Sequence, residues 1–210
     1  MKKYKIGIIG SGMIGGTVAQ LLAKAGYELF IGTRDPQKEQ ALLAKLGKNA
    51  QVGSVVDAAK WGDVIFESVP LFAIPEISKQ IASYVKGKVL LDTANPYAAR
   101  DGAAADEVER LGQGSGVWVA QHYPGAHVVK AFNTVYFETL GKKAHSNPPI
   151  GIPIASDDAS ALKVASSLVQ DAGFEPVVIG KLARAKDFGP GTPAYNNAFA
   201  PDELKRLLNV

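Results

Sequence analysis

Near the start of the chain a run of apolar residues, Tyr4 to Ile9, leads straight into Gly10-Ser11-Gly12-Met13-Ile14-Gly15, and a helical pattern follows at once. A G-x-G-x-x-G between a strand and a helix restricts the fold severely. Gly10 is expected to make the tight turn and Gly12 to admit a pyrophosphate close to the backbone. Gly15 is expected to let helix and strand pack together. The N-terminus of the helix then offers free N–H groups and a partial positive charge to an anion.

The rest of the chain keeps the same rhythm. Val18, Leu21 and Leu22 fall on one face of a helix from Ile14 to Ala25, stopped by Gly26. Strands are expected at Tyr27–Gly32, Ala50–Val52, Val64–Val69, Lys88–Asp92, Val128–Phe132, Ile152–Ala155 and Glu175–Ile179. Between them lie helices from Asp35-Pro36 to about Leu46, from a Ser54 cap, from Ala73 to Tyr84 and from Asp158 to Ala172. Asp101–Tyr123 reads as a helix broken by Gly112, Gly114 and Gly116, with Val117–Val119 equally compatible with a strand. A polar loop is expected over Lys142–Pro149, and a last amphipathic helix capped by Asp202. This alternation gives an α/β fold, a doubly wound parallel sheet of Rossmann type. Residues 1–140 form the nucleotide domain, and 141–210 form a small extension completing the acceptor pocket within one compact unit.

Composition narrows the function classes. The 210 residues contain no cysteine, which removes disulfides, thiolate metal sites and cysteine nucleophiles. A net charge of +3 is too small and dispersed for a nucleic-acid binder. Lys2 and Lys3 before an apolar run imitate a leader, but Ile6–Ile9 is short and ends in glycine. No apolar stretch approaches the roughly 20 residues that cross a bilayer. A cytoplasmic protein without membrane or nucleic-acid partners is the expectation, with no metal site.

The end of the second strand discriminates between dinucleotides. NAD proteins place an acid there to hold the ribose 2′-OH, whereas this chain reads Gly32-Thr33-Arg34 with Lys38 beyond. Thr33, Arg34 and Lys38 offer donors to a 2′-phosphate, and Asp35 is expected to serve as a helix cap. One charge-assisted hydrogen bond is worth roughly 1.5–3 kcal/mol, about ten- to hundredfold in favour of NADPH.

With these residues in place, the chain resembles the NADPH-dependent deazaflavin reductases, the coenzyme F-420:NADP oxidoreductases. The resemblance rests on GSGMIG, on GTR with Lys38, on VPLFAI from Val69 and on VVKAFNTV from Val128. The last segment is also similar to the reductase domain of the STEAP metalloreductases. The resemblance implies that Thr33, Arg34 and Lys38 hold the 2′-phosphate and that Val69, Pro70 and Leu71 lie against the ribose. It also implies that Ala94 and Asn95 lie near the nicotinamide, and that Asn133 and Thr134 line the hydride-transfer pocket. NADP(H) is then the cofactor, with a flavin or deazaflavin (coenzyme F-420, FMN or FAD) as small-molecule hydride acceptor. A homodimer closing the pocket would be ordinary for this fold. The Gly-, Pro- and Asn-rich tail from Gly180 to Leu208 departs from the longer, more helical end of the deazaflavin enzymes.

Such a reaction asks little of side chains, because cofactor and acceptor carry the chemistry. His122, His127 and His145 read as turn or surface residues, and Trp61 and Trp118 as packing. Lys130 either reaches the acceptor or lays its stem along the sheet edge. Arg184 and Lys186 are expected at a solvated helix end, with an anionic acceptor tail as the alternative. Two other functions fit the motifs: a non-catalytic NADPH-binding redox sensor, and a reductase of small imine or carbonyl compounds. The last needs a proton donor beside the nicotinamide, and none is evident in the sequence.

Overall fold

The computed structural model describes residues 3–210, so Met1 and Lys2, the start of the segment weighed as a leader, lie outside the described residues. An eight-stranded sheet runs through the molecule in the order β3-β2-β1-β4-β5-β6-β7-β8. Its strands are β1 (Lys5–Ile9), β2 (Glu28–Gly32), β3 (Ala50–Gly53), β4 (Val64–Glu67), β5 (Val89–Asp92), β6 (His127–Lys130), β7 (Gly151–Ala155) and β8 (Glu175–Gly180). The first six are parallel. β7 joins β6 antiparallel through the single pair Lys130↔Ala155, and β8 runs parallel to β7. The C-terminal extension therefore adds two reversed strands to the same sheet.

Each sheet face buries its own apolar cluster, as expected of strands covered on both sides. Helices α1 (Met13–Lys24), α8 (Phe137–Lys143) and α9 (Ala159–Asp171) cover one face, where Ile8, Leu22, Leu29, Phe132 and Leu168 meet. The other face packs Ile9, Ile65, Leu90, Trp118 and Tyr123 under α3 (Val55–Trp61), α4 (Ile74–Val85) and α7 (Ser115–His122). A smaller cluster seats α10 (Pro201–Leu208) on β7 and β8 through Leu204 and Leu208. Among the described residues no helix is long and apolar enough to cross a membrane.

Local chemistry sets the element ends. Ser54 and Asp57 form a reciprocal capping box on α3, with Asp57 N donating to Ser54 Oγ at 3.1 Å. α9 starts where the Asp158 carboxylate accepts from Ser160 N and Ala161 N. Two expected caps behave differently. Asp35 makes no capping bond and pairs instead with Lys38 at 3.0 Å, ahead of a 3-10 turn that leads into α2 (Gln40–Leu46). The N-cap of α10 is Ala200, not Asp202, because Pro201 takes the first helical position and Glu203 accepts from Ala200 N at 3.1 Å.

The stretch expected as one broken helix divides at Gly112 and Gly114, both at positive φ, into α6 (Ala103–Leu111) and α7. Gly116 breaks nothing. It lies inside α7, where a Cβ would come within 2.9 Å of Leu182 Cδ1, so glycine lets the tail approach. Val117–Val119 is helical, and α8 takes Lys142 and Lys143 from the expected loop.

Candidate active site

A cleft of about 430 Å³ opens above the carboxyl ends of β1, β4, β5 and β6, where open α/β sheets place their ligands. Gly12, Met13 and Ile14 form one side, and Ser68, Val69, Pro70, Thr93, Ala94 and Asn95 form the floor. Asn133 to Phe137, Tyr97, Arg100, Tyr195 and Asn196 close the far end.

The glycine loop is built as a dinucleotide cradle. Gly10 sits at φ 91°, and a Cβ there would meet Ser68 O at 2.4 Å. At Gly15 a Cβ would lie 2.0 Å from Gly10 O, so only glycine lets α1 start this close to the loop. Gly12 is different in kind: nothing lies within 4 Å of its added Cβ, which would project into open space at the cleft. α1 has no side-chain cap, so its first N–H groups remain available to a ligand. A pyrophosphate fits this cradle on all three counts.

At the end of β2, Thr33 Oγ1 accepts from Asp35 N at 3.3 Å. Arg34 is exposed and forms no ion pair among the described residues. Lys38 Nζ is held by Asp35, so of the three residues expected to meet a 2′-phosphate only Arg34 presents an unengaged charge. Glu39 reaches the glycine loop, where Ser11 Oγ donates to its Oε1 at 2.5 Å. Leu71 does not reach the cleft. Its side chain is fully buried in the core beneath α4, which corrects its expected place against the ribose.

Asn133 and Thr134 do line the cleft. A strained turn puts them there: Phe132, fully buried, takes φ 56° at the end of β6. Asn95 Nδ2 donates to Asn133 O at 2.7 Å, and Asn133 Nδ2 donates back to Asn95 Oδ1 at 3.1 Å. Thr134 Oγ1 donates to Phe188 O at 3.2 Å, and Asn196 N donates to Thr134 O at 2.8 Å. These groups are thus spent on tying the tail to the floor, and they shape the wall.

Beneath the floor is a polar cluster that no motif announced. Glu67, Asp92 and Lys130 share one row across β4, β5 and β6, all fully buried or nearly so. Lys130 Nζ donates to Asp92 Oδ2 at 2.8 Å and to Ala94 O, while Asp92 Oδ1 accepts from Ala94 N at 2.7 Å. Lys130 therefore neither enters the acceptor pocket nor runs to the sheet edge. It clamps the Ala94 turn from below. Burial pulls its ammonium below the ordinary value against the opposing pull of Asp92. Burial pushes Glu67 up to about 8, although the Tyr123 hydroxyl donates to its Oε1, and Oε2 has no partner among the described residues.

The tail supplies the other unforeseen feature. Tyr195 stands hydroxyl to hydroxyl with Tyr97, the residue before α5 (Ala98–Asp101). Burial and that bond hold the Tyr195 phenol above its ordinary range. Phenolic O–H groups thus stand in a cleft for which the sequence suggested no proton donor. Arg100 packs its guanidinium 4.7 Å from the centre of the Tyr97 ring. Elsewhere, Arg184 is tied to Asp187, Ile179 O and Leu208 O, and Lys186 lies outside the cleft. His127 pairs with Asp158 at 2.7 Å, His122 packs against Trp118 with the two rings tilted by 45°, and His145 N donates to Gly173 O. None of the three histidines, nor Trp61, reaches the cleft.

Comparison with known proteins agrees with this geometry. Residues 5–96 match the family model described as NADP oxidoreductase, coenzyme F420-dependent. The F420-dependent NADP reductase of Methanothermobacter marburgensis is 30% identical over 224 residues, covering 98% of this chain and 99% of that protein. The chain belongs to the coenzyme F420-dependent NADP oxidoreductase family. As a member of the family it is an NADP-dependent oxidoreductase that binds NADP(H). Metalloreductase STEAP3 of Rattus norvegicus is also 30% identical, over 87% of this chain but only 35% of that longer protein. Among solved structures, the hypothetical protein SMa0349 of Sinorhizobium meliloti superimposes with a TM-score of 0.83 at 26% identity, covering 94% and 96% of the two chains.

Proposed function

We propose that this family member transfers a hydride between NADPH and a flat, flavin-like acceptor, either a deazaflavin or a flavin. The observation that carries the reading is the far end of the cleft. Tyr97, Tyr136, Phe137 and Tyr195 put four aromatic rings around a space that continues from the glycine loop. Such rings suit a planar heterocycle laid against the nicotinamide.

NADPH, when bound, supplies the hydride. The chain's part is to bind, orient and exclude water. In this reading the α1 N-terminus and Gly12 take the pyrophosphate, while Thr33 and Arg34 take the 2′-phosphate. Val69 and Pro70 lie beside the ribose. Ala94 and Asn95 form the shelf beneath the nicotinamide, fixed by Lys130 and Asp92 below and by Asn133 at the side. The tail, bonded to Thr134 through Asn196, closes the acceptor end against solvent. A small-molecule acceptor is the only partner this reading requires.

The Tyr97–Tyr195 pair favours a second reading, reduction of a small carbonyl compound with a phenol as proton donor. One experiment separates the two. NADPH oxidation is followed anaerobically with the deazaflavin coenzyme, FMN, FAD, riboflavin and a panel of aldehydes, ketones and cyclic imines, with NADH run in parallel. Turnover of a deazaflavin or flavin supports the proposal. Turnover confined to carbonyl or imine compounds overturns it.

A further inference from the structure

Eighteen of the described residues line the cleft, and Arg100 is the only one of these charged at neutral pH. We propose that Arg100 is a catalytic residue of the acceptor end, where its guanidinium stabilises the negative charge that builds on the acceptor ring as the hydride arrives. The proposal rests on the flavin or deazaflavin reading above.

The side chain is held in place before any ligand enters. Nε and Nη2 donate to the two oxygens of Asp101 at 3.0 and 2.9 Å, and Nη2 also donates to Asn95 O at 3.0 Å. Asp101 is itself fixed. Its side chain is shut off from solvent, and it accepts from Tyr97 N at 2.9 Å and Phe72 N at 3.2 Å. Burial pushes the Asp101 carboxyl up, but the Arg100 fork and the two backbone donors outweigh that and hold it below the ordinary carboxylate range. Asp101 uses only one edge of the guanidinium. Nη1 has no partner among the described residues, and the side chain is 42% exposed at the cleft. A guanidinium clamped through Nε and Nη2 with Nη1 left free is a preorganised donor, which loses little freedom when an acceptor docks.

The chemistry creates a need for such a donor. The nicotinamide C4–H bond breaks, and its electron pair forms a new bond to hydrogen at the acceptor, at carbon in a deazaflavin or nitrogen in a flavin. The pair displaced within the acceptor ring comes to rest along its N1–C2–O edge, where water later supplies a proton. A cation beside that edge lowers the barrier, because the charge it meets exists only after transfer begins. The same cation disfavours an iminium substrate, which would carry positive charge into the site.

Arg100 also holds Asp101, so a purely structural role must be distinguished by the charge of the acceptor. Riboflavin gains negative charge on reduction. The 10-methylacridinium cation is a flat tricyclic hydride acceptor that becomes neutral, and its spontaneous reaction with NADPH is subtracted. Arg100→Met should lower kcat with riboflavin at saturating NADPH by about tenfold to a hundredfold. It should leave the rate with 10-methylacridinium undiminished or raise it, and Arg100→Lys should recover most of the riboflavin rate. Equal losses with both acceptors would overturn the proposal in favour of a structural role. A rise in KM for FMN with riboflavin unaffected would overturn it in favour of a phosphate anchor. A wild-type protein that reduces no flavin or deazaflavin would instead overturn the function reading, and this proposal with it.

Discussion

Replacing Lys130 by Met tests how the cleft floor is held. The ammonium is 1% exposed and pairs at 2.8 Å with Asp92, whose side chain is wholly buried. Removing one member of a buried pair leaves the other charge desolvated and uncompensated, which costs about 3–5 kcal/mol. In a domain of this length that corresponds to a fall in Tm of roughly 6–20 °C, taking about 2–4 °C per kcal/mol. Lys130→Met/Asp92→Asn should lose less than the sum of the two single variants, because no isolated charge remains. The amide that replaces the Asp92 carboxylate in the double variant keeps an oxygen for Ala94 N. A coupling of at least about 1.5 kcal/mol is expected, within the range measured for residues in direct contact. The assay is urea denaturation followed by circular dichroism, with the m-value checked for constancy. A Lys130→Met variant within about 1 kcal/mol of wild type, or two single costs that add to the double, would refute the paired-charge clamp. A further consequence is local: once the Ala94 carbonyl is released, KM for NADPH should rise even at temperatures where the variant is folded.

Other perturbations probe separate parts of the site and core. Gly12→Ala places a methyl where nothing lies within 4 Å, so stability should change by less than about 0.5 kcal/mol while NADPH affinity falls about tenfold or more, measured by titration calorimetry. Arg34→Ala should raise KM for NADPH about ten- to hundredfold and barely alter that for NADH. Equal changes with both would refute the assignment of the β2 turn. Glu67 titrates at about 8 in the folded protein against an ordinary 4.5, so its contribution to stability is complete below pH 4.5 and is lost as pH rises to about 8. Tm measured from pH 5 to 8 should therefore fall more steeply for wild type than for Glu67→Gln, and parallel curves would contradict the burial argument.

Much of the architecture was legible in the sequence because it depends on local patterns. The apolar runs of β1 and β4 to β6, the glycine loop and the Ser54 capping box each declare themselves within a few residues. What could not be read depends on long-range pairing. The reversal of β7 rests on one bridge, Lys130↔Ala155, that leaves no local signature. Asp35 and Asp202 each carry a good capping side chain, yet neighbouring residues decided otherwise: Lys38 captured Asp35, and Pro201 with Glu203 moved the α10 cap back to Ala200. Leu71 follows a segment that does line the cleft, but the 3-10 turn there points it into the core. The row Glu67, Asp92 and Lys130 lies on three strands up to 63 residues apart, and only strand register joins them. One signal was present, since each is a lone charge in or ending an apolar run. Tyr195 and Arg100 were hidden for the same reason, one in a tail without periodicity and the other in a helix of four residues.

The central claim is direct hydride transfer within the cleft, and isotope tracing tests it most directly. NADPH carrying deuterium at the transferred position of C4 is oxidised anaerobically in ordinary water with the deazaflavin coenzyme as acceptor, and the reduced acceptor is analysed by mass spectrometry. Direct transfer predicts one deuterium retained at the acceptor's ring carbon, where it cannot exchange. Reduced deazaflavin without the label, or no reduction of either the deazaflavin or a flavin, would contradict it.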